Sequence, residues 1–201
     1  MKELLAIFSI ILISQGAYAM DEKNIKTAVF AGGCFWCVES DFEKLNGVIK
    51  AESGYAGGKE ENPTYKQVSA GRTTHAEVAK IYYDKTKISY AELLDKFWHS
   101  IDPTVKNRQF CDVGQQYRTA IFYQTEEEKA LAEKTKKQAE EYLGLKVYTE
   151  IEKLDNFYLA EDYHQDYYKK NPIRYKYYRY SCGRDKRVKE VWHLLKKVTL
   201  D

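Results

Sequence analysis

The sequence predicts an α+β protein: a mixed β-sheet with helices packed on it and long irregular loops between them. Three observations predict it. Short apolar or alternating stretches recur between stretches of helical spacing, two helix starts carry capping sequences, and the connections are rich in Gly, Pro and Asn.

The apolar run Thr27–Phe30 predicts the first strand, ending at Gly32-Gly33. Helical spacing follows from Cys34 to about Leu45, and Asn46-Gly47 stops it. Val48 to Tyr55 alternates well enough for a second strand and ends at Gly57-Gly58. The segment onward to Thr74 reads as loop, with a turn at Asn62-Pro63-Thr64-Tyr65 and one helical turn at Tyr65–Ala70. Glu77 to Tyr83 alternates as a third strand. Ser89 and Glu92 form a capping box before Leu93, Leu94, Phe97 and Trp98, so a helix should run to about Ser100. A second loop, Pro103 to Gln116, leads to a strand at Tyr117–Tyr123. Thr125 and Glu128 open a charged helix to Leu143, on which Glu133 and Lys137 have the i,i+4 order of an ion pair, and Gly144 closes it. A strand near Val147–Lys153, a helix-like aromatic stretch from Ala160 to Lys170, a tyrosine-rich segment to Tyr180 and a last helix over 185–198 complete the chain.

The chain has 201 residues, 44% of them apolar and 31% charged, which suits one soluble domain with a sizeable core. A net charge of +2 is too small for phosphate-backbone binding, so no nucleic-acid partner is expected, and the Tyr175–Tyr180 run reads as packing or a peptide-facing surface. Residues 1–19 have the layout of a secretory signal: Lys2, the apolar run Leu4 to Ile13, then Ala17-Tyr18-Ala19 before the cut. A run of ten residues is too short for a bilayer span. The expectation is a signal over 1–19 and a single domain over 20–201 with a C-terminal helical extension, exported to a bacterial periplasm or secreted. Export would place Cys34, Cys37, Cys111 and Cys182 where disulfides persist, and three pairings are open.

Cys34 falls on a strand-to-helix turn, where unpaired N–H groups and the helix dipole favour thiolate. Cys37 stands one helical turn on, close enough for a disulfide. This C-x-x-C is evidence for dithiol chemistry and leaves the reaction open. A general thiol-disulfide oxidoreductase is one alternative, but the bulky Phe35-Trp36 pair suits an apolar slot for a small group. A zinc-held secreted binding module is another, weakened because Cys111 and Cys182 lack paired spacing.

Gly33-Cys34-Phe35-Trp36 resembles the hallmark of the peptide methionine sulfoxide reductase A family. Ser53-Gly54-Tyr55-Ala56-Gly57-Gly58, Asn62-Pro63-Thr64-Tyr65, Thr74-His75-Ala76-Glu77, Gln109-Phe110-Cys111-Asp112, Gln116-Tyr117-Arg118 and Ala160-Glu161-Asp162-Tyr163-His164-Gln165 follow in the family's order, over roughly residues 26 to 185. The resemblance implies a two-layer, ferredoxin-like core and reduction of methionine-S-sulfoxide, in proteins and free. It implies Cys34 as nucleophile, Glu77 as proton donor, Tyr65 and Tyr117 as hydroxyls on the sulfoxide oxygen, Asp112 ordering polar groups beneath, and Phe35 and Trp36 around the methyl group. No metal or organic cofactor is implied, because thiols carry the electrons.

After oxygen transfer Cys34 is a sulfenic acid, and a second thiol must condense with it. Many family members have Gly where this chain has Cys37, and resolve with cysteines on a Gly-rich tail that is absent here. Cys37 and Cys182 are therefore the candidates, with proximity favouring Cys37 and Cys111 third. A thioredoxin-like dithiol would reduce the product. Glu39, Asp41 and Glu43 read as a solvated helix face, and His75 and His164 as structural hydrogen-bonders.

Overall fold

The computed structural model describes residues 22–194. The predicted signal at 1–19 and the end of the predicted last helix, 195–198, lie outside the described residues.

The core follows from β1 (Ile25–Gly32), an apolar strand buried on both faces from Ala28 onward. Its neighbours are β3 (Ala76–Asp84) on one side and β6 (Thr119–Tyr123) on the other, both antiparallel. Two more strands lie beyond β3: β2 (Val48–Ala56) and then β8 (Phe157–Leu159). At the opposite edge β7 (Glu150–Lys153) pairs in parallel with β6, so the sheet is mixed, in the order β7-β6-β1-β3-β2-β8. The helices α1 (Phe35–Phe42) and α3 (Tyr90–Trp98) make the two crossovers. The unit β1-α1-β2-β3-α3-β6, with strands ordered β6-β1-β3-β2, is the ferredoxin-like split βαβ arrangement.

Alternation along β1 divides the packing between the faces. Ala28 and Phe30 face the helices and join Val38, Phe42, Leu93, Leu94 and Phe97 in the larger core. Val29 and Ala31 face the other way, with Ala56, Ala76, Val78 and Phe122. Phe30 is the pivot of the helix side: its ring lies 5.2 Å from Phe42 of α1 and 5.1 Å from Phe97 of α3. The helix α4 (Glu126–Leu143) adds Ala132, Ala139 and Leu143 to the same layer and ends on left-handed Gly144. A short helix, α2 (Tyr65–Ser69), sits in the loop before β3, and β4 (Arg108–Gln109) and β5 (Asp112–Val113) form a small hairpin before β6. The chain continues through α5 (Tyr167–Lys170), α6 (Pro172–Ser181) and α7 (Arg184–Lys189).

Several elements differ from the sequence expectation. Tyr117 closes a 3-10 turn, Gln115–Tyr117, rather than opening β6, because Gly114 at φ +140° redirects the chain there. Only the end of the Ala160–Lys170 stretch is helical. Before it, the Gln165 side chain accepts from the Ser53 amide at 2.9 Å and donates to the Ser53 carbonyl at 2.9 Å, and Asp166 takes a left-handed φ of +54°. The tyrosine-rich segment is helical throughout, as α6. On α4 the Thr125 hydroxyl caps the Glu128 amide, while Glu128 turns back to the Gln124 amide, one residue earlier than a full capping box requires. Lys137 reaches Glu141 at 3.9 Å instead of Glu133.

Candidate active site

The turn from β1 into α1 places the nucleophile. Gly33 has φ +82°, and a Cβ there would lie 2.6 Å from the Gln109 Cβ, so only glycine lets the β4–β5 hairpin approach this closely. Gln109 is locked in turn: it accepts from the Asp102 amide at 2.9 Å and donates to the Asp102 carbonyl at 2.6 Å. Cys34 is the N-cap residue of α1, with Cys37 in its first turn. Both are free thiols, and both are buried, at 6% and 2% exposure.

Eight side chains line a cavity of about 70 Å³ over Cys34: Cys34, Phe35, Trp36, Tyr65, Glu77, Asp112, Tyr117 and Tyr178. That space accommodates a small head group rather than a whole side chain. Cys34, Phe35 and Trp36 share the start of α1, and the other five arrive on separate elements. Glu77 stands on β3 and accepts from the Phe35 amide at 3.1 Å, which ties the acid to the same turn as the nucleophile. Burial, Asp112 and Cys37 push the Glu77 carboxyl up to about 8 against that hydrogen bond, so it is protonated at neutral pH. Tyr65 opens α2, and its amide donates to Glu161 at 2.8 Å, while the Tyr55 hydroxyl holds the other Glu161 oxygen at 2.8 Å. Burial pushes the Tyr65 phenol up to about 12, with Glu77 and Cys34 adding to it, and raises Tyr117 as well; both stay hydroxyl donors.

Tyr117 is fixed through its neighbours. Gln116 donates to the Ser69 carbonyl at 3.1 Å, and buried Arg118 pairs with Glu150 at 2.9 Å while reaching the Thr74, Gln115 and Gly57 carbonyls. Asp112 on β5 accepts from the Tyr178 hydroxyl at 2.5 Å, and burial raises its carboxyl against that bond. Trp36 lies flat on Tyr167 with centroids 3.7 Å apart, and its indole N–H donates to His164 Nδ1 at 3.0 Å. His164 therefore carries its proton on Nε2, a buried atom with no hydrogen-bond partner. Burial depresses its pKa to about 4, so the ring stays neutral between Phe35, Trp36 and Tyr65. His75 is a brace, bonding the Gly58 amide and the Glu60 carbonyl.

Cysteines 111 and 182 are joined in a disulfide. It ties the β4–β5 hairpin, which carries Asp112, to the end of α6, which carries Tyr178. Cys182 is thus covalently occupied, whereas Cys37 stands free beside Cys34. The four sulfurs form two separate pairs, and among the described residues the only cysteine-containing group with metal-ligand spacing is Cys111, Asp112 and Cys182, whose sulfurs the disulfide takes.

Two features escape a reading of the sequence. Tyr178 lines the cavity, and nothing in the Tyr175–Tyr180 run distinguishes it from its neighbours. Glu39, Asp41 and Glu43 do not form a solvated face. Glu39 is fully buried, accepting from the Ser53 hydroxyl at 2.5 Å and the Asp166 amide at 2.7 Å, and burial raises it to about 7. Asp41 pairs with Arg179, and Glu43 accepts from the Ala51 amide and the Tyr168 hydroxyl. Their partners lie up to 138 positions away along the chain, beyond any local pattern.

A sequence profile described as Peptide methionine sulfoxide reductase matches residues 26–196. The chain belongs to the peptide methionine sulfoxide reductase family. It is 44% identical over 195 residues to peptide methionine sulfoxide reductase MsrA 2 of Caulobacter vibrioides, covering 96% of this chain and 99% of that protein. It is 49% identical over 172 residues to MsrA/MsrB of Vibrio cholerae, covering 84% of this chain but only 45% of that longer protein. Among solved structures, reduced Mxr1 from Saccharomyces cerevisiae superposes with a TM-score of 0.71 at 38% identity, over 76% of this chain and 88% of that one. Mxr1 in complex with Trx2 superposes at 0.53 with 25% identity, over 76% and 91%. These likenesses to family members fit the ferredoxin-like sheet and the pocket built on its first turn.

Proposed function

We propose that this reductase acts on methionine-S-sulfoxide in proteins and free, through Cys34, and that Cys37 resolves the oxidised nucleophile. The observation that carries the reading is the convergence of one thiol, one protonated carboxyl and three phenols on a single small cavity walled by Phe35 and Trp36.

The pocket matches the chemical need. Thiolate attack on a sulfoxide sulfur requires that the oxygen be protonated or strongly hydrogen-bonded as it leaves. Glu77, neutral at pH 7, supplies the proton, and the Tyr65 and Tyr117 hydroxyls hold the oxygen. Phe35 and Trp36 enclose the methyl group, so oxygen, methyl and chain are each placed, and one sulfur epimer fits. The first half-reaction moves oxygen to Cys34, giving a sulfenic acid and methionine. In the second, Cys37 passes its proton to the ionised Glu77 and attacks the Cys34 sulfur; the S–O bond breaks, the oxygen leaves as water with that proton from Glu77, and a Cys34–Cys37 disulfide forms. An external dithiol returns both to thiols, becoming a disulfide itself. The solved Mxr1–Trx2 complex supports a thioredoxin-like protein in that role.

The buried position of both thiols counts against a general thiol-disulfide oxidoreductase, whose sulfur must meet protein disulfides at the surface. Incubation with each sulfoxide epimer and dithiothreitol tests the assignment: methionine is expected from the S epimer, and no turnover of that epimer would sink it.

Residues 1–19 direct export in this reading, supported by their basic, apolar and Ala-x-Ala order and by a family match that starts at residue 26. Among the described residues no helix is long and apolar enough to cross a membrane. Mature protein beginning at Met20 in a periplasmic or culture fraction is expected; uncleaved cytoplasmic protein would contradict export.

A further inference from the structure

Two arginines converge on Asp41 of α1. Asp41 follows Cys37 by one turn on the same face of α1 and is buried. Arg179 of α6 grips it with Nη2 3.0 Å from Oδ1 and Nη1 3.1 Å from Oδ2. Arg184, the first residue of α7, is 2% exposed and lies under the Gly32-Gly33 turn. Its Nη1 donates to the Gly32 carbonyl at 3.1 Å and its Nη2 to the Ser100 carbonyl at 2.9 Å, and its guanidinium covers the Phe110 ring at 4.7 Å. Its Nε has no hydrogen-bond partner and stands 3.8 Å from Asp41 Oδ2.

Of the two guanidinium groups, Arg184 is the more deeply buried, and among the described residues no carboxylate oxygen lies within hydrogen-bond distance of it. Arg179's second carboxylate, Asp185, is a surface group at 70% exposure. Inside, both guanidinium groups share Asp41, Asp112 and Asp185 act on Arg184 from farther off, and an undercompensated buried cation is costly. The other ionisable groups acting on Cys37 are Cys34 from its own helix, Glu77 of β3, and Tyr175 and Tyr178 of α6. Glu77 is protonated near neutrality, and burial keeps both phenols neutral. Cys37, buried one turn from Asp41, is the thiol placed to add negative charge beside these arginines.

We infer that Arg184 and Arg179 are positioning residues for the resolving step: they hold Cys37 as a thiolate beside the Cys34 sulfur, ready to attack its sulfenic acid. The inference rests on the reductase reading and deepens it. The thiol's acidity agrees with the geometry. Cys37 is lowered to about 7, first by the hydrogen bond from the Cys34 thiol and then, against its burial, by Arg184 and Arg179. Cys34 moves the other way, raised by burial and by the Cys37 charge. Before substrate binds, Cys37 is thus the thiolate and Cys34 its hydrogen-bond donor; as Cys34 attacks the sulfoxide, Cys37 takes its proton. After oxygen transfer the arginines favour loss of that proton from Cys37 to the ionised Glu77, and the Cys37 thiolate attacks the Cys34 sulfenic sulfur as its oxygen leaves as water with the proton returned from Glu77.

The test has two parts. In Cys34→Ser protein with Cys111–Cys182 intact, Cys37 is the remaining thiol, and its ultraviolet thiolate absorbance is titrated with pH. Arg179→Gln and Arg184→Gln should each raise the midpoint by about one pH unit, a tenfold loss of thiolate below it, while Arg179→Lys restores most of the shift. In proteins with Cys34 intact, a single turnover of methionine-S-sulfoxide should form the Cys34–Cys37 disulfide about tenfold more slowly in the Gln variants near pH 6.5. That deficit should vanish above about pH 9, a recovery that a merely structural role would not produce. If Arg184→Gln fails to fold, the Arg179 pair decides. Unchanged midpoints in the Gln variants, or equal midpoints for Arg179→Gln and Arg179→Lys, overturn the inference. A wild-type protein that releases no methionine overturns the reductase reading instead, and the titration curves remain a separate result.

Discussion

The two cysteine pairs make opposite use of the same chemistry. Cys34 and Cys37 are adjacent on one short helix, buried, reduced and surrounded by groups whose protonation they alter. Cys111 and Cys182 are 71 residues apart, nearer the surface, bonded and flanked by the residues they hold in place. The difference teaches where reactivity comes from: Cys37 is activated by a neighbouring thiol and buried cations, whereas a crosslink needs two chain segments that must stay together. In the proposed mechanism one pair carries electrons, and the other ties the strand of Asp112 to the helix of Tyr178.

The largest effect that separates the pairs is loss of the nucleophile. Cys34→Ser should abolish sulfoxide turnover with any reductant, measured as methionine release; residual turnover above background would move the chemistry elsewhere. Next is the acid. Glu77→Gln should lower kcat/KM by roughly 10²–10⁴, and wild-type rate should fall as pH rises through about 8, where the Glu77 proton is lost. The same substitution should raise thermal stability at alkaline pH. A carboxyl raised from 4.5 to about 8 on folding contributes stability that is full below the unfolded value and is lost as pH rises through the folded one. Differential scanning calorimetry at about pH 6 and pH 9 reads this directly.

Cys37→Ala should still release one methionine per protein, then stall with a thioredoxin-like reductant. Continued cycling would shift the resolving role to another thiol. Cys111→Ser with Cys182→Ser should instead leave turnover within about threefold and cost about 2–4 kcal/mol in denaturant unfolding, the usual worth of a long-loop crosslink. If that double variant loses recycling rather than stability, the contrast between the pairs collapses. Smallest is Tyr178→Phe, which removes the hydrogen bond to Asp112 and should lower kcat/KM about tenfold, in line with the loss of one charge-assisted bond.

Much of this was legible where local chemistry dictates structure. The Ser89 capping box, the Gly144 stop, the β1 apolar run and the glycine turn ahead of Cys34 all follow from spacing and residue type. The separated motif blocks pointed to the same residues that the sheet and loops bring into one cavity. What local pattern does not carry is tertiary partnership. Glu39 and Asp41 have the composition of a wet helix face and are buried because Asp166, Arg179 and Arg184 arrive from the far end of the chain. Tyr178 is one tyrosine in a run of them until α6 packs it over Asp112. The strand β8, only three residues long, has too little sequence to announce itself.

The central claim is that the buried pair alone carries the catalytic disulfide. Treating the reduced-site protein with one equivalent of methionine-S-sulfoxide, quenching in acid and mapping disulfides by mass spectrometry tests it most directly. The account predicts a new Cys34–Cys37 bond with Cys111–Cys182 retained. A bond from Cys34 to Cys182 or Cys111, with Cys37 left as a free thiol, would contradict it.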